Sequence, residues 1–174
     1  MLNRRVKVSA LSLLLLGAAV ILQSTLLEYV AIGEVKPDLC LVILVFVSLR
    51  TGALFGQYAG FAAGLIEDFI SLPPLGFYAL IRTVLGFLCG LLQGAFYVDP
   101  LFLPVVLVVV ATVLKGLFAW LLSLVFSLSA TAAAFLGATF WIEVGYNALI
   151  APFAFALLNL IKLYKIQEQR GGEI

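Results

Sequence analysis

The sequence contains no histidine, which excludes an imidazole base, a histidine metal ligand and a histidine pH switch. Charge is scarce as well. Lys, Arg, Asp and Glu make up 11% of 174 residues, where a soluble domain carries about a quarter. The formal net charge is +1, and no basic run marks a nucleic-acid interface. There are two cysteines, Cys40 and Cys89, both inside apolar runs, and they read as small buried hydrophobes rather than a disulfide or a metal pair. No serine has a histidine partner and no glycine loop forms a phosphate cradle, so no cofactor is expected.

What is abundant is apolar. Hydrophobic residues reach 64% and the mean hydropathy is +1.22. Too few polar groups remain to cover a globule in water, so lipid must cover it. Lipid in turn forces each span to satisfy its own backbone. The apolar runs are continuous and not alternating, which predicts helices and not a barrel. The expectation is all-α: one polytopic membrane domain over residues 1–174, with no extramembrane domain.

A helical span needs roughly 20 residues. Six apolar runs are delimited by charge, proline and polar turns: 8–27, 39–49, 52–70, 75–96, 101–126 and 133–161. The first follows Arg4, Arg5 and Lys7 but is long enough to span and ends in no cleavage signal, so it reads as a retained helix. The second is only about 17 Å long at 1.5 Å per residue. It reads as a short tilted span, a re-entrant segment, or the first half of a helix broken near Gly52. Charge parity favours six crossings. With both termini cytoplasmic, Arg4, Arg5, Lys7, Arg50, Lys162, Lys165 and Arg170 fall inside and only Lys36 outside, the bias that basic residues show in bacterial membranes. Pro152 is expected to kink the last helix.

Two glycine ladders stand out. Gly52, Gly56, Gly60 and Gly64 recur every four residues in the third run, and Gly86, Gly90 and Gly94 in the fourth. Residues four apart share a helix face, and glycine there lets backbones approach. The plain reading is packing of helices three and four within the chain; the sharper one is a face for a partner helix. Five ionisable residues, Glu67, Asp68, Arg82, Lys115 and Glu143, fall within spans and, on the six-span topology, in the outer half. Such charges are costly unless paired or hydrated. They read as an internal salt-bridge network, with Arg82 paired to Glu67 or Asp68, or as a polar cavity or partner site open outward. Glu67 and Asp68 point about 100° apart on a helix and form no catalytic dyad.

Four motifs carry a family resemblance: Gln23-Ser24-Thr25-Leu26; Lys36-Pro37-Asp38-Leu39; Gly52-x3-Gly56-x3-Gly60-Phe61-x2-Gly64-Leu65-x2-Asp68; and Leu75-Gly76-Phe77-Tyr78-Ala79-Leu80. Their order and spacing over the first 95 residues resemble MreD, the small membrane protein family of bacterial rod-shape determination. The resemblance implies a fold similar to the six-helix substrate-binding subunits of energy-coupling-factor transporters. It implies a non-enzymatic scaffold in the cytoplasmic (inner) membrane, with structural roles at Gln23, Pro37, Asp38, Asp68 and Gly76. The implied partners are an MreC-like bitopic protein, MreB filaments, the RodA glycosyltransferase, a class B penicillin-binding transpeptidase and membrane lipid. The competing readings are a vitamin-type transporter subunit, for which an outer polar cluster would line the substrate cavity, and an intramembrane hydrolase or flippase, for which nothing in the residues argues.

Overall fold

The computed structural model describes residues 2–25, 35–93, 102–127 and 137–161. Six helices account for most of them: α1 Leu2–Thr25, α2 Leu39–Thr51, α3 Ala53–Ile70, α4 Phe77–Leu91, α5 Phe102–Val125 and α6 Ala138–Asn159. Three stretches are long and apolar enough to cross a membrane: Val6–Thr25 of α1, α5 and α6. The end of the first run at 26–27, the polar stretch from 28 to 34, Gly94, Asp99, most of the Ser127–Thr131 turn and the basic tail at Lys162, Lys165 and Arg170 lie outside the described residues.

The shortest helix is the centre of the molecule. Ten of the thirteen residues of α2 are buried, from Cys40 to Arg50. Its sequence is apolar on every face, and a helix of that kind is stable only when surrounded. The other helices enclose it, so it presents little side chain to lipid. The break near Gly52 is real. Gly52 has φ +89°, a backbone region that suits glycine, and the chain folds back there. The Ser48 side chain consequently lies against Gly56, eight residues on.

Partner residues fix helix directions. On α6, Asn147 accepts from the Asp38 amide, the Phe155 ring meets Phe46 edge-on at 5.2 Å, and Asn159 accepts from Arg50. Both members of each pair advance together, so α2 and α6 run parallel and in register. The partners across α3 and α4 run oppositely: Gly56 faces Gly86, Gly60 faces Arg82, Gly64 faces Ala79 and Gly90 faces Ala53. These two helices are antiparallel and form the most extensive helix pair.

The fourth helix is shorter than the 75–96 run. It cannot start at Leu75, because Gly76 has φ +99° and breaks the helical path. It closes at Leu91 with tight turns, Leu92 N to Cys89 O and Gln93 N to Gly90 O. The first helix begins earlier than expected, at Leu2, so its basic start is helical rather than a flanking loop. Described residues of the sixth run start their helix at Ala138, and Pro152 lies inside it.

Candidate functional site: a polar hub at the start of the central helix

Register with α6 places the first turn of α2 well inside the length of α6. Asp38 lies level with Asn147, nine residues into α6 and so about 13 Å from its start at 1.5 Å per residue. A helix beginning at that depth has amide donors that water cannot satisfy. Side chains from three helices do so. Asp38 Oδ1 accepts from Leu41 N at 2.8 Å, Gln23 Oε1 of α1 accepts from Cys40 N at 3.3 Å, and Asn147 Oδ1 accepts from Asp38 N at 2.8 Å. Asn147 in turn donates to Thr112 Oγ1 of α5 at 3.2 Å.

The carboxylate of Asp38 also gathers the charges. Arg82 Nη2 donates to it at 3.1 Å and Lys115 Nζ at 2.8 Å. Arg82 Nε further pairs with Glu67, and Lys115 with Glu143. One chain of contacts, Glu67–Arg82–Asp38–Lys115–Glu143, therefore ties α3, α4, α2, α5 and α6. Three carboxylates against two cations leave a formal charge of −1. Arg82 is 1% exposed and Asp38 2%, whereas the side chains of Glu67, Lys115 and Glu143 are 15–19% exposed, so Lys115 and both ends of the network reach the surface. The Arg82 Nη1 is buried and has no acceptor among the described residues.

Asp68 stands apart from this network. Its carboxylate accepts from Gly76 N at 2.9 Å, Tyr78 N at 2.7 Å and Ala79 N at 3.1 Å, capping α4 from the neighbouring helix. The roughly 100° between adjacent helical residues sends Glu67 toward Arg82 and Asp68 toward the α4 start. Of the five ionisable residues singled out in the sequence, four thus converge on a centre, Asp38, that the sequence pattern places at a loop end. Asn147 and Thr112 do not stand out in the sequence. Being neutral polar residues in apolar runs is their only signal.

The glycines form a separate region. A Cβ at Gly60 would overlap the Arg82 carbonyl, one at Gly86 the Gly56 carbonyl, and one at Gly64 would come within 2.5 Å of the Ala79 Cα. Gly56 and Gly90 are as tightly faced. Gly52 differs: it makes the α2–α3 break and is covered by the flexible Gln93 side chain. At the opposite end from Asp38, Arg50 Nη2 donates to Asn159 Oδ1 at 2.6 Å and lies 5.5 Å from the Phe46 ring centre. Among the described residues, no three His, Cys, Asp or Glu side chains converge as metal ligands would.

These features define an all-helical membrane protein built around a buried, electrostatically locked central helix. The chain belongs to the MreD family: the family model for rod shape-determining protein MreD matches residues 4–161, well past the motif-bearing first half. Membership carries a role in rod-shape determination, in a structural family. No curated protein matches the chain, and no solved structure does.

Proposed function

We propose that the chain is a non-enzymatic, six-span scaffold of the bacterial cytoplasmic membrane, with both termini inside. On this reading it binds an MreC-like bitopic protein and helps couple MreB filaments to wall synthesis by RodA and a class B penicillin-binding transpeptidase. The observation that carries the reading is the partly exposed ion network at the Asp38 end. There α2 starts deep, Glu67, Lys115 and Glu143 reach the surface, and the net charge of the network is −1. A membrane-proximal segment bearing a cation would neutralise that excess. The internal use of the glycine faces supports the same choice, because it leaves the network rather than the ladders for a partner.

The test is affinity purification of the tagged full-length chain from its native membrane, in mild detergent, with bound proteins identified by mass. The expected result is an MreC-like partner with wall-synthesis enzymes, and reduced recovery from a Glu67→Gln, Glu143→Gln variant, counted per amount of folded, monodisperse protein because both substitutions also remove an ion pair. A second reading rests on the same polar network and the buried Arg82 Nη1 donor: a substrate-binding subunit of a vitamin-type transporter. Recovery of an ATPase pair with a coupling membrane subunit would favour it and count against the scaffold.

A further inference from the structure

The connection between α3 and α4 has an unusual composition for a turn outside a membrane. From Phe69 to Ile81 there is no charged residue. Phe69 is 72% exposed, Ile70 52%, Leu75 66%, and Leu72 fully exposed. In water these four side chains would form an apolar projection with nothing to cover it.

Most amide donors of this turn are satisfied from within. Asp68 accepts from Gly76, Tyr78 and Ala79; Ser71 N donates to Glu67 O, Phe77 N to Pro74 O and Leu80 N to Gly76 O. Pro73 and Pro74 have no amide hydrogen. From Ser71 to Leu80, only the Leu72 and Leu75 amides lack an acceptor among the described residues. Donors closed in this way suit the lipid–water boundary, where the carbonyls of Ser71, Leu72, Pro73 and Leu75, to which nothing donates among the described residues, still meet water and headgroup donors.

Depth points independently to the same place. The ion network is a common reference level for four helices. Beyond it toward the Asp38 end, α5 continues ten residues past Lys115, about 15 Å, whereas α3 continues only three past Glu67 and α4 begins five before Arg82, about 5–8 Å. The α3–α4 turn therefore stops short of the end of α5. Whole lengths agree: α4 rises about 22 Å, less than the roughly 30 Å of a hydrocarbon core.

We propose that Phe69–Leu75 is a lipid-inserted anchor. It lies under the headgroups of the leaflet at the Asp38 end, with Leu72 and Leu75 among acyl chains and their two amides donating to the ester carbonyls of the lipid. The occupant is the bilayer itself, because the apolar surface is continuous with the exposed face of α3 at Phe61 and Ile66 and carries no charge to match a polar partner. Along α3–α4 the leaflet must thin to meet the shorter hydrophobic height. The buried Asp68 is the positioning residue that makes the turn compatible with lipid.

The experiment uses the purified full-length chain in vesicles of phosphatidylethanolamine and phosphatidylglycerol. Spin labels are attached at Leu72→Cys, Leu75→Cys and, as a reference at the same-side end of α5, Ser127→Cys. The native Cys40 and Cys89 are buried, and unmutated protein sets the labelling background. Collision with dissolved oxygen, which partitions into lipid, should exceed collision with a water-soluble nickel chelate severalfold at 72 and 75, and the ratio should fall at 127. Adding Asp68→Asn to Leu75→Cys should move that ratio toward water. Nickel accessibility at both 72 and 75 would overturn the proposal. So would labels that are aqueous in vesicles but shielded in native membranes, since a protein would then be the occupant. Either Leu72→Cys or Leu75→Cys suffices if the other does not fold.

Discussion

Two regions of this molecule join helices by opposite means. Between α3 and α4 the contact is backbone on backbone, with glycine at Gly56, Gly60, Gly64, Gly86 and Gly90 and no side chain between. Around Asp38 the contact is side chain on side chain, long and charged, spanning five helices. The glycine seam gains dispersion and weak Cα–H contacts and tolerates no added atom. The hub takes charges out of water at a cost and is stable only as a completed set. The seam is thus a fixed joint. The hub is the joint that a change of charge, or a charged partner, can alter. It also attaches the α5–α6 pair to the start of α2 through Lys115 and Asn147, while Phe155 and Asn159 hold α6 farther along.

The largest effect is expected in the seam. Gly60→Leu pushes a side chain into the Arg82 carbonyl, a backbone atom that cannot move without moving α4. The loss should exceed the about 1–3 kcal/mol of ordinary overpacking. Expression with loss of the folded peak in detergent gel filtration is the readout. A folded, wild-type-like Gly60→Leu would show that α3 and α4 are not held this closely. Next comes the hub. Asp38→Ala leaves Arg82 and Lys115 facing each other without their shared carboxylate and removes the cap on Leu41. Breaking a buried ion set by removing one partner costs about 3–5 kcal/mol. Combined with Lys115→Met the drop in thermal midpoint should be less than the sum of the two single losses, because both substitutions remove the same Asp38–Lys115 contact. Strictly additive losses would mean that the two residues are not coupled.

The seam was legible in the sequence because a four-residue period survives folding unchanged: spacing alone assigns the face. The hub was legible only in part. Glu67, Arg82, Lys115 and Glu143 announce themselves as charges in apolar runs. Asp38 does not, because it borders a polar stretch and looks like the edge of a loop. The missing signal was length. A run of eleven apolar residues is too short to span, so one of its ends must lie at depth, and a carboxylate there needs cations. Asp68 shows a different limit. Sequence gives its charge but not whether it meets a cation or a row of amides, and that choice depends on the Gly76 turn bringing the α4 start beneath it. Gln23, Asp38 and Gly76 stand out in the sequence only as motif positions, and Asp68 also as a charge in an apolar run, yet physically the four act alike, since each starts or caps a helix.

Neutral members of the hub should matter less than charged ones. Asn147→Leu removes the acceptor for Asp38 N and the donor to Thr112 Oγ1 while preserving volume and every ion pair. Interhelical hydrogen bonds in membrane proteins contribute modestly, so a loss of about 1–2 kcal/mol is expected, measured by thermal or denaturant unfolding in detergent. A loss as large as that of Asp38→Ala would sharpen the comparison differently: the register of α2 on α6, and not its charge, would then be what holds the hub.

The smallest effect is expected at a glycine. Gly145 lies in α6 between the exposed Trp141 and Leu149, and a Cβ added there meets nothing within 4 Å. Its backbone is ordinary helix, unlike Gly76, so neither space nor conformation requires glycine. Gly145→Leu replaces a poor helix former with a good one and should change stability by no more than about 1 kcal/mol, in the stabilising direction. Gly60→Leu and Gly145→Leu are then the same substitution in two helices of one protein, lethal to the fold in one and harmless in the other. The pair isolates close approach as the cause, since composition and residue propensity are held constant. If Gly145→Leu leaves the purified chain stable but removes a partner during affinity purification, this face of α6 meets another helix in the native membrane, and the open space at Gly145 is where that helix comes closest.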